Sequence, residues 1–358
     1  MTSALHEKPV RTAYHAYLAR KTLVLLSACA ILTLFFLACM AFGPVGIPLA
    51  DVVGSLTGVD ASTRFQVIIW NIRLPNALTA VLAGSGLAAA GAAMQSILRN
   101  PLASPFTLGI SQAGAFGAAF AVMFLGTGVM QSTAVNAVSV SDPILTSVFA
   151  FAASLAASLV IIAVARLRGA SPEVMVLCGV ALGSLFTAAT MLLQYFASDV
   201  QLAAMVFWSF GDLSRAGWRE VGILGATTLA AVVFFYWNRW NYNALDAGDE
   251  TARGLGVRVE RVRLQGMIVA SILTAVIVSS LGVIGFIGLV SPHIVRRLLG
   301  DDHRFLLPGS CLFGAILLQA SDILSRMALA PHLLPVSVVT ALIGAPAFFS
   351  ILLRRGRQ

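Results

Sequence analysis

Side chains suited to acid–base or proton-coupling chemistry are scarce in the apolar parts of this sequence. Asp322 and Arg326 are four residues apart, which is the spacing of an ion pair on one helix face, and His293 follows a proline. Transporters driven by protons or sodium usually need more buried carboxylates or histidines than this. The sequence also lacks a Ser/His/Asp set, an HExxH pattern and a G-x-S-x-G turn. It therefore disfavours an intramembrane enzyme and an ion-coupled secondary transporter.

The four cysteines are scattered in apolar surroundings and form no CxxC pair, so they are interpreted as packing residues. The sequence also contains no G-x-x-x-x-G-K-S/T loop of the kind that cradles nucleotide phosphates. We therefore predict no metal or cofactor site in this chain. Any ATP chemistry must be supplied by another chain.

The longest polar loop, residues 243–257, contains the pattern of a short helix. Two acidic residues would occupy its first turn, where carboxylates are favoured. Two apolar residues would form one edge, and two glycines would let the chain turn sharply at its end. These residues are, in that order, Asp249 and Glu250, Ala252 and Leu255, and Gly254 and Gly256. The loop is therefore predicted to form a short amphipathic helix at a membrane surface.

The composition is that of an integral membrane protein. Of the 358 residues 58% are hydrophobic and 11% are charged, and the mean hydropathy is +0.90. This fraction of charged residues is too small to cover the surface of a soluble protein of this size. The net charge of +8 would suggest a nucleic-acid partner in a soluble chain, so its placement along the sequence decides its meaning.

The apolar runs predict ten membrane spans, because each span needs about 20 apolar residues. The run from 264 to 290 has 27 residues and is too long for one span, so it is divided into a span ending near Gly282 and a shorter one ending near Leu299. The fold class is therefore an all-α polytopic membrane protein. The other eight spans are residues 23–42, 77–97, 108–126, 144–165, 174–196, 221–240, 306–328 and 335–353.

The basic residues support the count of ten. With the N-terminus inside, 18 of the 23 basic residues lie on the inner side, as the positive-inside rule requires. The net charge is thereby explained by topology, and no nucleic-acid partner is expected. One membrane domain, residues 23–353, would lie between cytoplasmic tails at 1–22 and 354–358. The five basic residues left outside are Arg64, Arg73, Arg215, Arg219 and Arg326.

Several motifs, in their order and spacing, resemble the FecCD-type permeases of bacterial ABC importers for iron-siderophores, haem and vitamin B12. The resemblance covers most of the chain. The motifs are Ile72-Arg73-Leu74-Pro75, Met94-Gln95 with residues 99–103 and Leu108-Gly109, Gly248-Asp249-Glu250 with Leu255-Gly256, residues 285–290 with Pro292-His293, Asp302-His303-Arg304, Leu306-Leu307-Pro308-Gly309, Ala320 with Asp322 and Arg326, and residues 340–346.

The resemblance implies a multi-chain transporter in the bacterial cytoplasmic (inner) membrane, with both termini in the cytoplasm. A second permease copy or a paralogue would complete the translocation path. Two ATPase subunits would bind underneath, and a periplasmic or lipid-anchored binding protein would deliver the ligand. Apart from these chains and membrane lipid no partner is expected, and no cofactor is implied. The chain itself would not be an enzyme.

The resemblance also assigns roles to particular residues. The coupling segment, defined as Gly248, Asp249, Glu250, Ala252, Leu255 and Gly256, would insert into a cleft of the ATPase. On the outer side Arg73 and Arg326 match positions that meet acidic residues of the binding protein. Asn76 stands where the family often has another arginine, so one docking charge is absent. The candidates to replace it are Arg64, Arg215 and Arg219.

Ferric siderophores are the broadest substrate class of such permeases and are the predicted cargo. Haem and cobalamin stay open as alternatives, because few residues of this sequence could separate the three. The path would transmit a preformed complex, so no residue is expected to bind the iron directly. An ion-coupled secondary transporter is the alternative of another class, and it would leave the loop at 243–257 without a partner.

Overall fold

The computed structural model describes residues 4–43, 45–58, 62–130, 138–140, 142–329 and 332–355, and nearly all of them are helical. A short antiparallel pair, Gly128–Met130 with Val138–Val140, lies between α5 and α6. The predicted all-α membrane fold is confirmed. The helices are α1 Ala4–Ala41, α2 Leu49–Thr57, α3 Thr63–Ile68, α4 Leu74–Ile97, α5 Ile110–Phe124, α6 Pro143–Leu167, α7 Pro172–Phe196, α8 Asp199–Ser209, α9 Trp218–Trp237, α10 Arg239–Asp246, α11 Asp249–Gly254, α12 Val259–Leu281, α13 Ile287–Leu299, α14 His303–Met327 and α15 Val336–Arg355.

Each of the ten predicted spans coincides with a helix of the described structure, namely α1, α4, α5, α6, α7, α9, α12, α13, α14 and α15. Seven of the described helices are long and apolar enough to cross a membrane, while α5 and α15 are shorter apolar helices. The run from 264 to 290 is divided as predicted, since α12 ends at Leu281 and α13 begins at Ile287. The 13 residues of α13 extend about 20 Å, less than the hydrocarbon thickness of about 30 Å.

The first helix begins earlier than predicted. Instead of starting at Leu23, α1 runs without a break from Ala4 to Ala41, and its apolar span begins at Thr12. The predicted tail, residues 1–22, is therefore helical from Ala4 onward and continuous with the first span. Residues 1–3 and 356–358, the ends of the two predicted tails, lie outside the described residues.

The core is built around α4, which packs against α9, α12, α13 and α14. Two glycines of α4 explain how the backbones approach so closely. A Cβ atom on Gly84 would lie 2.4 Å from the carbonyl oxygen of Gly314, and one on Gly91 would lie 1.8 Å from that of Gly288. The small residues therefore bring transmembrane helices into backbone contact, as their sequence pattern predicts.

By contrast, α7 is packed along only a narrow stripe. Its buried residues are Met175, Gly179 and Gly183, whereas large side chains such as Leu177 and Tyr195 are exposed. An apolar helix with so little of its surface buried must face lipid or another protein chain. The exposed face of α7 is therefore a candidate contact surface for another chain.

Candidate functional site

The coupling segment is a one-and-a-half-turn helix held between two glycines. Gly248 adopts φ +113° and separates α10 from α11, and Asp249 and Glu250 occupy the first turn of α11 as predicted. At the other end Gly256 has φ +82°, which a residue with a Cβ adopts only with strain. Its N–H and that of Val257 donate to carbonyls of the last turn, at 2.9 Å each, in a Schellman cap. The predicted sharp turn at Gly256 is confirmed.

Asp249 faces the protein interior. The guanidinium of Arg263 on α12 donates to both carboxylate oxygens of Asp249, at 2.8 and 2.6 Å, and its Nε donates to the carbonyl oxygen of Ile97 at 2.9 Å. Arg99 lies 3.8 Å from the same carboxylate. The hydrogen bonds from Arg263 lower the pKa of Asp249 below its usual value. Because Arg263 is only 2% exposed, this carboxylate fastens α11 to the buried ends of α12 and α4.

The prediction that Ala252 and Leu255 form one apolar edge of α11 is wrong. Ala252 is fully buried, but Leu255 is 70% exposed and projects away from the protein. Because α11 ends at Gly254, Leu255 already belongs to the turn that leads to α12. The outward surface of the coupling segment therefore combines the exposed Leu255 with the exposed carboxylate of Glu250.

A second set of polar contacts holds α10, the helix that precedes the coupling segment. The imidazole Nε2 of His303 lies 2.9 Å from the hydroxyl oxygen of Ser96 and 3.2 Å from a carboxylate oxygen of Asp246. Arg296 on α13 is 3.6 Å from the same carboxylate oxygen. These four residues come from α4, α10, α13 and α14, and His303 is fully buried.

Asn243 connects α10 to the start of α14, a contact that no sequence motif predicts. Its side-chain amide donates to Asp302 at 3.1 Å and accepts from the backbone N–H of His303 at 2.9 Å. The motif Asp302-His303-Arg304 was noted in the sequence, but nothing there indicated that its partners lie in α10. The structure thus fixes both ends of the segment at 243–257 to the membrane domain.

Arg73, which was expected to face the outside, is placed differently from its expected docking role. It is 4% exposed, and its guanidinium donates to the carbonyl oxygens of Met40, Ala41 and Val45. Carbonyls at a helix C-terminus lack intrahelical partners, and a cation there is favourable. Arg73 therefore caps α1 and presents no free charge to the outer surface in this structure.

The two other expected docking residues are also engaged within the chain. Arg326 pairs with Asp322, so the predicted i,i+4 ion pair is confirmed. Asn76 is 6% exposed. Its neighbours favour the amide orientation with oxygen and nitrogen exchanged, in which the nitrogen donates to the carbonyl oxygens of Leu213 at 3.2 Å and Ile72 at 3.3 Å. Neither residue offers an unpartnered charge at the surface.

The candidates to replace the absent docking charge fall into two groups. Arg215 donates to the carbonyl oxygens of Phe207 at 2.7 Å and Trp208 at 3.1 Å, and so holds the C-terminal end of α8. Arg64 and Arg219 are exposed and have no ion-pair or hydrogen-bond partner among the described residues. Of the five outer arginines, these two are the ones whose charge is available to another molecule.

A cavity of about 760 Å³ lies among α6, α8, α9, α12 and α14. It brings together Asn76, Arg219 and Arg326, and aromatic side chains such as Phe207 and Trp208 line one side of it. In the described ranges no three His, Cys, Asp or Glu side chains cluster as a metal site requires. The cavity therefore presents both polar and aromatic side chains to a molecule that enters it.

The chain is similar to known transport proteins along most of its length. A family model described as the FecCD transport family matches residues 31–354. The chain is 48% identical over 343 residues to an assigned ABC transporter permease protein of Methanocaldococcus jannaschii, covering 95% of this chain and 97% of the relative. It is 38% identical over 296 residues to a hemin transport system permease of Yersinia pestis, covering 81% and 84%. It is 36% identical over 341 residues to an Fe(3+)-citrate import system permease of Bacillus subtilis, covering 95% and 97%.

One solved structure has the same architecture over nearly its full length. It is an inward-facing ABC transporter assigned to the metal-chelate type, and it superimposes with a TM-score of 0.79 at 26% identity. The match covers 92% of this chain and 99% of that one.

Proposed function

The chain belongs to the FecCD transport family and is a multi-pass permease of the ABC importer type, and we propose that it carries a ferric siderophore inward across the cytoplasmic membrane. In this proposal the chain performs no chemical step. It provides the membrane path, and ATPase subunits bound to the coupling segment provide the energy.

The observation that carries the proposal is the way in which α11 is mounted. Asp249 is turned inward onto buried Arg263, so movement of α11 is transmitted to α12 and to the end of α4. Glu250 and Leu255 project outward, where a partner can grip them. A helix with one face fixed to the core and one face free is suited to passing force from a partner into the membrane domain.

We propose an iron chelate as the cargo because of the names of the relatives and because of the side chains that the described residues offer. Two relatives carry hemin and Fe(3+)-citrate according to their names, and the matched structure is of the metal-chelate type. Transport of a preformed chelate needs no protein ligand for the metal, and the described residues include no cluster of metal ligands. Haem and cobalamin are the alternatives within the same family.

We propose one surface for each of the two remaining partners. The exposed apolar face of α7 is proposed to meet a second permease copy or a paralogue, since one chain leaves it uncovered. The cavity lined by Arg219 is proposed to receive the acidic surface of a binding protein, and the exposed Arg64 is a second proposed contact. Asn76 and Arg326 would shape that surface from within the cavity, and Arg73 would support it by holding the end of α1.

The test is transport by the complete importer in proteoliposomes. The permease is reconstituted with its ATPase and binding protein, and uptake of a radiolabelled ferric siderophore is compared with uptake of haem and cyanocobalamin. We expect ATP-dependent siderophore uptake that survives collapse of proton and sodium gradients. Transport of haem or cobalamin instead would replace the proposed cargo, and uptake abolished by an ionophore but not by ATP removal would overturn the ABC mechanism.

Orientation is tested separately. Single cysteines introduced at Arg258 and Arg304 should react with a membrane-impermeant reagent only from the cytoplasmic side, and one at Arg219 only from outside. This follows from the distribution of basic residues. Labelling of residue 304 from outside would reverse the assignment of α11 to the ATPase side.

A further inference from the structure

A cavity of about 440 Å³ lies between the end of α9 and the start of α12, beside the coupling segment. Polar groups dominate its lining: the amides of Asn238, Asn241 and Gln265, and the guanidiniums of Arg258 and Arg261. No carboxylate lines it, and among the described residues none lies within 4 Å of either guanidinium. The nearest acidic residue in sequence, Glu260, is instead paired with Arg253. The cavity is therefore an unneutralised cationic site.

The surroundings place this site at the depth of lipid headgroups. Trp237 is 80% exposed and Trp240 is 55% exposed, and they alternate along the chain with Asn238 and Asn241. Exposed tryptophans of membrane proteins are enriched at the membrane–water interface. Arg258 directly precedes the apolar span Val259–Leu281, which is also an interfacial position.

Apolar surface continues from the cavity toward the bilayer centre. On α12 the stripe that begins with Arg261 and Gln265 continues through Ile268 and Ile272, at helical spacing, and both isoleucines are exposed. On α9 Leu229 and Val233 are exposed in the C-terminal half of the helix, the half that ends at the cavity. A ligand with an anionic head and apolar tails would match the cavity and this surface together.

We propose that the cavity binds the phosphate headgroup of an anionic phospholipid, with Arg258 and Arg261 holding the phosphate and the acyl chains lying along α9 and α12. Basic pockets between transmembrane helices on the cytoplasmic side are suited to such headgroups. Gly256 and Val257 also line the cavity, so the bound lipid would contact the turn that ends the coupling segment. The placement on the cytoplasmic side rests on the orientation given under the proposed function.

The test uses the purified full-length permease alone in neutral detergent, so that it does not depend on cargo, ATPase or transport. The thermal-unfolding midpoint is followed during titration with dioleoylphosphatidylglycerol, dioleoylphosphatidylcholine or inorganic phosphate. We expect saturable stabilisation by phosphatidylglycerol and not by the other two. The double variant Arg258→Gln/Arg261→Gln should weaken the apparent affinity about thirty-fold, which corresponds to about 2 kcal/mol.

Two further variants separate the site from general charge effects. Arg166→Gln/Arg168→Gln removes the same charge from exposed positions at the end of α6 that do not line the cavity, and it should leave the titration unchanged. Arg258→Lys/Arg261→Lys keeps the charge, and it should retain affinity within about tenfold because lysine also binds phosphate. If Arg258→Gln/Arg261→Gln does not fold, the lysine variant and the selectivity of the unaltered protein decide the outcome.

Three results would overturn the proposal. Equal stabilisation by phosphatidylcholine would show that the site does not distinguish an anionic headgroup from a zwitterionic one. Equal stabilisation by inorganic phosphate would assign the site to a soluble anion. The third is an Arg258→Gln/Arg261→Gln variant that titrates normally with phosphatidylglycerol, which would show that these two side chains do not hold the phosphate.

Discussion

Arg263 donates two charged hydrogen bonds to Asp249, 2.8 and 2.6 Å long, across 14 positions of sequence and from one helix to another. The third donor of the same guanidinium binds the carbonyl oxygen of Ile97. One buried side chain thereby joins the coupling helix α11 to both α12 and α4. The exposed face of α11 can act on the membrane domain only through contacts of this kind.

We therefore predict that Arg263→Gln uncouples the importer. Charged hydrogen bonds contribute about 1.5–3 kcal/mol each, and the partial exposure of Asp249 favours a total loss near 2 kcal/mol in unfolding free energy. ATP-dependent uptake should fall at least tenfold while the ATPase still binds. Transport and ATP hydrolysis are measured side by side. Arg166→Gln, which removes an exposed charge at the end of α6 and outside α11, should behave as the unaltered protein.

The turn after α11 should be intolerant of a β-branched residue. Gly256→Val strains a backbone at φ +82° by about 1–2 kcal/mol, although nothing lies within 4 Å of the added Cβ. We expect loss of uptake with normal membrane insertion. Glu250→Lys should have the same effect by reversing an exposed charge. Gly222→Val on α9 is the control, because its Cβ also meets open space, its φ is not positive and it lies outside the coupling segment. Normal uptake in both altered proteins would make α11 a passive surface helix.

Outer docking should depend on Arg219 and not directly on Arg73. Arg219→Glu reverses an exposed charge, so binding-protein association should weaken at low salt. The effect should fade toward 1 M salt, where the Debye length is about 3 Å. Arg73→Gln should instead lower the thermal stability at every salt concentration, because three carbonyl oxygens lose their donor. A salt-dependent docking defect in Arg73→Gln with unchanged stability would contradict this assignment.

The contact between α4 and α13 should tolerate no side chain at Gly91. In Gly91→Ala the added carbon would overlap the Gly288 carbonyl oxygen at 1.8 Å, so the helices must separate. We expect a destabilisation of about 3 kcal/mol or more, seen as a lower unfolding midpoint and a lower yield of folded protein. Gly222→Ala on α9 meets nothing within 4 Å and should be neutral. Equal stability of the two variants would show that the helix contact is looser than described.

Asp302 should make the free energy of unfolding depend on pH in the acidic range. Burial alone raises its pKa, but hydrogen bonds from the Arg304 side chain and backbone and from Asn243 lower it to about 2. A depressed pKa in the folded state contributes stability above about pH 4 that is lost as the pH falls toward 2. Asp302→Asn should flatten the fall of the unfolding midpoint between pH 5 and 3. Asp301→Asn alters a side chain that is 77% exposed and should leave the slope unchanged.

Only some features of the coupling segment could be predicted from its local sequence. The acidic first turn and the glycine turn were predictable, because both depend on residues within one helix and its caps. The inward direction of Asp249 was not, because its partner Arg263 lies on another helix. The edge formed by Ala252 and Leu255 was predicted wrongly for the same reason: burial is decided by neighbours distant in sequence.

The sequence by itself determined the class of molecule, the ten helical segments and the division of the run at 264–290. These follow from hydrophobic length and charge placement, which the bilayer acts on independently of tertiary contacts. Which arginines are free follows only from the fold. Arg73, Arg215 and Arg326 are bound to carbonyls or to Asp322, whereas Arg64 and Arg219 have no such partner in the part of the chain that the structure describes. An arginine has the same charge in every sequence context, but its availability depends on which acceptors the fold brings within hydrogen-bonding distance.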